Sequence, residues 1–222
     1  MTFDIVADYQ DFLLPIALLI LFLVFFVSFA LYVQFKLKKK AGQVDRALKV
    51  LEKNDPIWRK EKLITYIDHY IEDVTTSWSD KDRVKLKDLL TENFYEIRSK
   101  KLDKMDEVGQ RNVIDNIQIQ DILLVDVQDY TDDELDRFTA RIKYLAVNFT
   151  KNFKDQWEEP RWDEDVDPNP EMEAQDYIEF WTFLRQGKGW KLAKIEKEWK
   201  EGDYTDRDPV LKDEKYMPVE DI

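Results

Sequence analysis

The chain has no cysteine. Disulfides, thiolate zinc sites, iron–sulfur clusters and cysteine nucleophiles are therefore excluded. Histidine occurs once, at His69, so metal sites built on several imidazoles are excluded as well. Positive charge is in deficit. Lys and Arg number 34 against 47 Asp and Glu, a formal net charge of −13 over 222 residues. A phosphate backbone is bound by clustered Lys and Arg that displace counterions, so nucleic acid is not an expected partner. No internal repeat is visible. The length allows one domain of about 100–200 residues plus an appendage. The hydrophobic share (44%) and the charged share (36%) are both high because two unlike pieces are joined: an uncharged apolar block and a strongly charged remainder.

The apolar block runs from Phe12 to Phe35 without a charged residue. A membrane helix needs about 20 such residues. A buried soluble helix would carry a polar face, and this segment has none. Pro15 is read as lying in the first turn, where a missing N–H costs little. A cleaved signal peptide fits poorly, because Asp4, Asp8 and Asp11 precede the run in place of a positive n-region. Residues 12–35 are therefore expected to form one uncleaved transmembrane helix, after a short extracytoplasmic segment at residues 1–11. Lys36, Lys38, Lys39 and Lys40 follow at once, whereas no Lys or Arg precedes the run. The positive-inside rule then places the following domain in the cytoplasm, with the N-terminus outside. The expected address is the cell inner (plasma) membrane, and these lysines are candidates for headgroup contact, worth about 1 kcal/mol each near an anionic surface.

Residues 36–55 read as a basic juxtamembrane linker, in which Val44, Leu48 and Leu51 mark a short amphipathic helix, taken as a spacer. Asn54-Asp55-Pro56 is a stop-and-restart signal, and the domain is expected over residues 56–199. The apolar stripe Ile57, Leu63, Ile64, Ile67, Ile71, Val74 and Trp78 predicts a first helix there. Ser79-Asp80 is expected to cap a second, with Val84, Leu86, Leu89 and Leu90 buried. Phe94, Ile97, Leu102, Met105 and Val108 face inward on a third, which Gly109 ends. The period then changes to two. Val113, Ile117, Ile119, Leu123, Val125 and Val127 outline a first strand, and Phe138, Ala140, Ile142, Tyr144 and Ala146 a second. An acidic loop at residues 155–170 leads to a third strand over 173–186, a hairpin at Gly187-Lys188-Gly189 and a fourth strand over 190–199. Residues 200–222 read as an acidic disordered tail. Helices followed by a meander of long antiparallel strands give an α+β class, with a curved sheet able to enclose an apolar pocket.

Several of these residues carry a family resemblance. They are the opening helix ending in Trp78, the Leu89-Leu90-Thr91 junction, Asn116-Ile117-Gln118-Ile119, and above all Glu179-Phe180-Trp181-Thr182-Phe183-Leu184-Arg185 with Trp190-Lys191-Leu192-Ala193-Lys194-Ile195 after the hairpin. Residues 57–199 resemble the C-terminal domain family of the mitochondrial inner-membrane translocase subunit forty-four. The resemblance implies a nuclear-transport-factor-2-like cone of three helices against a curved four-stranded antiparallel sheet. It further implies a membrane-associated tether or assembly factor. This chain carries a transmembrane helix in place of the long chaperone-binding region of the mitochondrial proteins, and it is acidic.

No catalytic set stands out, and no enzyme activity, cofactor or metal is expected. His69 reads as a structural residue within the first helix, near Tyr66 and Asp73. Asp115 and Asp121 share the apolar parity of the first strand and are candidates for an isomerase-like base in the cone, although strand-end positions facing solvent explain them more simply. The run Asp163-Glu164-Asp165-Val166-Asp167-Pro168-Asn169-Pro170-Glu171 spaces oxygens like a calcium loop, but Pro168 stands where glycine is required and Ala174 where a closing glutamate is required. It reads as a solvated acidic loop.

Binding is the expected chemistry. The candidate aromatic patch of the cone is Trp78, Phe94, Tyr144, Trp157, Trp162, Tyr177, Trp181 and Phe183, with Trp157 and Trp162 as exposed anchors in the acidic loop. The third strand is apolar on both faces, so its outer face needs a cover or a partner. The expected partners are the membrane, a protein or peptide, and a lipid or acyl chain in the cone. The leading expectation is a tether that recruits one of these to the inner membrane face, in protein translocation or membrane-protein assembly. The alternatives are a scaffold subunit of a secretion or envelope machine with its domain outside, and a ligand-binding or isomerase-like cone.

Overall fold

A computed structural model describes the backbone of residues 4–152, 173–197 and 210–213, with side chains for 14–152 and 173–197. The chain divides into two compact units, Met1–Lys40 and Ala41–Ile222.

The first unit is helical. Helix α1 (Asp4–Leu51) begins before the apolar run, so Pro15 lies inside it and not in its first turn. From Leu14 to Phe35 the large apolar side chains other than the half-buried Val33 are exposed, Leu21 at 67% and Phe25 at 64%. The stretch is long and apolar enough to cross a membrane, with a mean hydropathy of 3.0 over its most apolar window. Soluble proteins do not leave so much contiguous apolar surface in water.

The second unit takes in the last turns of α1. Val44, Ala47, Leu48 and Leu51 belong to its hydrophobic core. The segment expected as a spacer is thus part of the domain, which begins well before residue 56. The reason is the helical spacing of those apolar residues, which form a face that must be buried.

After a 3-10 turn at Pro56–Trp58, capped by Asp55, come α2 (Lys60–Asp80), α3 (Arg83–Leu89) and α4 (Glu92–Glu107). The stripe read on α2 is buried at Leu63, Ile67, Ile71, Val74 and Trp78. The junction with α3 differs from expectation. Helix α2 runs on through Ser79-Asp80 and ends at Lys81, which adopts the left-handed conformation (φ 56°) and returns its N–H to the carbonyls of Ser77 and Trp78. The cap of α3 is Asp82, which accepts the N–H of Lys85 at 3.0 Å. Ser79 instead turns to the sheet and accepts the N–H of Ile114 at 2.9 Å. Val84 on α3 (77%), Ile97 on α4 (54%) and Val108 just past the end of α4 (50%) are exposed, against the inward placing read from their periodicity.

Four antiparallel strands follow, as expected: β1 (Gln110–Tyr130), β2 (Arg137–Asn152), β3 (Gln175–Gln186) and β4 (Gly189–Lys197). A short fifth strand, β5 (Val210–Asp213), pairs in parallel with the end of β1, giving the order β4-β3-β2-β1-β5. Those four residues fall within the segment read as a disordered tail. Their Val-Leu pair supplies a strand-forming step in an otherwise polar stretch.

Strand β1 departs most from simple alternation. Its pairing with β2 shifts register three times, between Asp115 and Gln118, Ile119 and Asp121, and Leu124 and Asp126. Each bulge adds a residue and turns the following side chains over. The residues packed on the core are therefore Ile114, Ile117, Ile119, Ile122, Leu124 and Val127. Val113, Leu123 and Val125 lie outside that cluster, although Val125 is fully buried. Asn116 sits in the first bulge at φ 51°, a conformation Asn tolerates better than most residues. On β2 the reading holds without change, with Phe138, Ala140, Ile142, Tyr144 and Ala146 all in the core.

The core is aromatic at one end. Phe138 and Phe183 stack at 4.8 Å, with Trp190 edge-on to Phe138 at 4.8 Å and Trp58 to Trp190 at 5.0 Å. Phe180, which alternates to the opposite face of β3, is also fully buried. That face is covered within the chain at Phe180, and needs no partner there.

Candidate functional site

The helices and the sheet do not close completely on each other. Between α2, α4 and the inner face of the sheet lies a cavity of about 720 Å³, within the range typical of small-ligand sites. Helix α2 contributes Val74, Thr75 and Trp78, and α4 contributes Phe94, Arg98 and Lys101. Spacings of four and three place those α4 residues on one helix face. The strands supply Asn112 and Ile114, Tyr144 and Asn148, Tyr177, Glu179 and Trp181, and Ile195 with Lys197.

The polar groups on the walls are interlinked. The Trp78 indole N–H donates to Asn112 Oδ1 at 2.9 Å, and the Asn112 amide donates to Asn148 Oδ1 at 2.7 Å. Across β2 and β3, the Tyr144 hydroxyl and the Trp181 indole N–H both donate to Glu179 Oε2, at 3.0 and 2.9 Å. Burial pushes the Tyr144 hydroxyl well above the usual tyrosine range, and the Glu179 charge adds to this. Tyr144 stays a donor and holds the carboxylate in place.

The cations are arranged differently. The Arg98 guanidinium lies over the rings of Phe94 (4.7 Å) and Trp78 (5.4 Å), and Lys101 Nζ lies 5.5 Å from the Trp78 ring. Burial pulls the Arg98 pKa down, opposed by Glu179. Lys101 is also pulled down, first by burial and then by the positive charges of Arg98 and Lys197.

Five residues of the aromatic patch read from the sequence, Trp78, Phe94, Tyr144, Tyr177 and Trp181, line this cavity together. Phe183 does not; it is fully buried in the stack with Phe138. Trp157, Trp162 and the acidic loop at 163–171 lie outside the described residues. Asp115 and Asp121 are exposed and not among the cavity residues, and Asp121 lies 3.9 Å from Arg141. The carboxylates that line the cavity are Asp176 and Glu179. His69 is exposed beside Asp68. Of the headgroup candidates, Lys38 and Lys39 are exposed and Lys36 is half-exposed, but Lys40 is 1% exposed and is removed from that set.

Arg98, Lys101 and Glu179 were not singled out from the sequence. A signal existed for Glu179, which shares strand parity with Tyr177 and Trp181. For Arg98 and Lys101, the signal was their spacing from Phe94 on one helix face.

A family model described as the Tim44-like domain matches residues 44–197. The chain belongs to this family. The match begins at Val44, the first α1 residue of the core, so the Tim44-like domain includes the end of α1. No curated protein matches the chain. Among solved structures, the intermembrane-space region of the chloroplast protein ARC6 is similar, at 10% identity and a TM-score of 0.37, over 60% of this chain and 94% of that one.

Proposed function

We propose that this protein is a single-pass membrane tether. In this reading residues 12–35 span the inner membrane, Lys36, Lys38 and Lys39 meet headgroups on its cytoplasmic face, and the Tim44-like domain recruits a partner there by binding, without catalysis. The observation that carries the reading is a helix apolar and exposed all round, in one chain with a domain that holds an aromatic cavity. Anchoring raises the concentration of the domain at the membrane, so a cavity of modest affinity suffices for recruitment. The positive-inside rule supports the orientation.

The test combines topology with capture. C-terminal fusions to reporters active only inside or only outside the cytoplasm report the side of the domain. A photoreactive phenylalanine analogue at Phe94 reports what enters the cavity in cells. Cytoplasmic activity and a discrete Phe94 adduct are expected. External activity overturns the orientation and makes the secretion-scaffold role the leading one. Absence of any adduct overturns recruitment through the cavity.

A further inference from the structure

The charge on the cavity wall points to the kind of partner. In a chain of net charge −13, the cavity gathers Arg98, Lys101 and Lys197. Asp176 and Glu179 line the same cavity and the Glu179 charge acts on Arg98, so the three cations exceed the two carboxylates by one. Arg98 is the centre of the cluster. It is half-buried, and its guanidinium makes no hydrogen bond or ion pair among the described residues. Five N–H donors held against two ring faces are a preformed fork for a carboxylate.

Two further observations narrow the ligand. The rings of Phe94 and Trp78 lie 4.7 and 5.4 Å from the same guanidinium, so the anion and an apolar group must sit close together in the ligand. In the last residue of a peptide, the carboxylate and the side chain branch from one carbon. The opposite wall is polar, with Asn148, Tyr144 and Glu179. A bare acyl chain offers those groups nothing, whereas a peptide backbone offers donors and acceptors.

We propose that the cavity binds the C-terminal end of a peptide, its carboxylate on Arg98 and Lys101 and its last apolar side chain among Trp78, Phe94 and Trp181. This rests on the recruitment reading above and adds the chemistry of the partner. It is the capture of a terminal carboxylate, a recurring recognition mode, built here from side chains.

The test uses the full chain in phosphatidylcholine nanodiscs with 15N-labelled tryptophan. The probes are an acetylated Ala-Ala-Ala-Ala-Phe peptide with a free C-terminus, the same peptide amidated, and decanoate. The free acid should shift the indole N–H signals of Trp78 and Trp181 and leave that of the core residue Trp58 in place. Amidation, and separately Arg98→Gln, should each weaken binding at least about tenfold, the loss of one charge-assisted contact. Lys101→Gln, a milder surface change, should weaken it about threefold with the other signals unmoved, which guards against misfolding of the Arg98 variant. Equal binding of acid and amide would overturn the carboxylate assignment and leave recruitment through the cavity standing. Shifts with decanoate and none with either peptide would make the cavity a lipid site and overturn the proposal alone. No shift with any probe would overturn both readings.

Discussion

Arg185 and Asp136 form a buried ion pair at the end of the sheet, with Nη1 of the arginine 3.0 Å from Oδ2 of the aspartate. Asp136 is fully buried and also accepts the N–H of Tyr130 at 2.7 Å. Arg185 further contacts Asp55 at 2.7 Å and Asp133 at 3.1 Å. One guanidinium thus joins β3, the β1–β2 turn and the segment entering α2.

This pair sets a pH dependence. Burial, chiefly, raises the Asp136 pKa from 3.8 to about 6, with Asp129 adding to the shift and Tyr130 and Arg185 opposing it. Between about pH 4 and 6 the folded protein therefore holds a proton that the unfolded chain has released. Stability contributed by this group is present at the acid end of that window and falls as pH rises through it. Urea unfolding at pH 4.5, 5.5 and 7 should show the fall, and Asp136→Asn should flatten it. Arg185→Ala should cost about 3 kcal/mol at pH 7, because it leaves a buried carboxylate without its counter-ion.

Ser79 is expected to matter as a tie and not as a cap. Its hydroxyl satisfies the Ile114 N–H, so Ser79→Ala should cost about 1–3 kcal/mol by leaving that donor unpaired. Asp82→Ala should cost about 1 kcal/mol through loss of the α3 cap. Unfolding midpoints of the two variants, and of the double variant for additivity, check both values.

Glu179 should separate structure from charge. Glu179→Gln keeps an acceptor for the Tyr144 and Trp181 donors and should change stability by under about 1 kcal/mol. Glu179→Ala orphans both donors and should cost about 2 kcal/mol. Denaturation curves of the two variants, run side by side, decide this. Equal losses would mean that the two donors find other partners.

The end of α1 supplies a fourth case. Leu48 is 2% exposed in the domain core, so Leu48→Ala should cost about 2–5 kcal/mol. A spacer helix would show no change. Limited proteolysis of the domain, followed with urea unfolding, distinguishes the two.

These cases show where the sequence was readable. The α2 stripe and the β2 alternation were legible because each element keeps a single period over its length. The end of α1 reads as a spacer because three apolar residues at helical spacing look alike on a spacer and on a core helix; only tertiary contact distinguishes them. Val84, Ile97 and Val108 were placed inside by period alone, but α3 has only seven residues and α4 a strongly charged face, so neither buries all its apolar positions. In the site, the aromatics were found by residue type. Arg98 and Lys101 were not, because a cation on a charged helix is ordinarily a solvated one, and its ring contacts appear only in the folded chain.

Strands are usually the least forgiving place to gain or lose a residue, since one insertion reverses every side chain beyond it. The bulges of β1 create an exception. At each, the extra residue has already been absorbed, so removing it restores plain pairing and leaves both flanks facing as before. Relatives of this chain should therefore differ in length by single residues within the strand itself, at the steps around Asn116, Gln120 and Val125. An alignment that forbids gaps in strands would misplace half of β1.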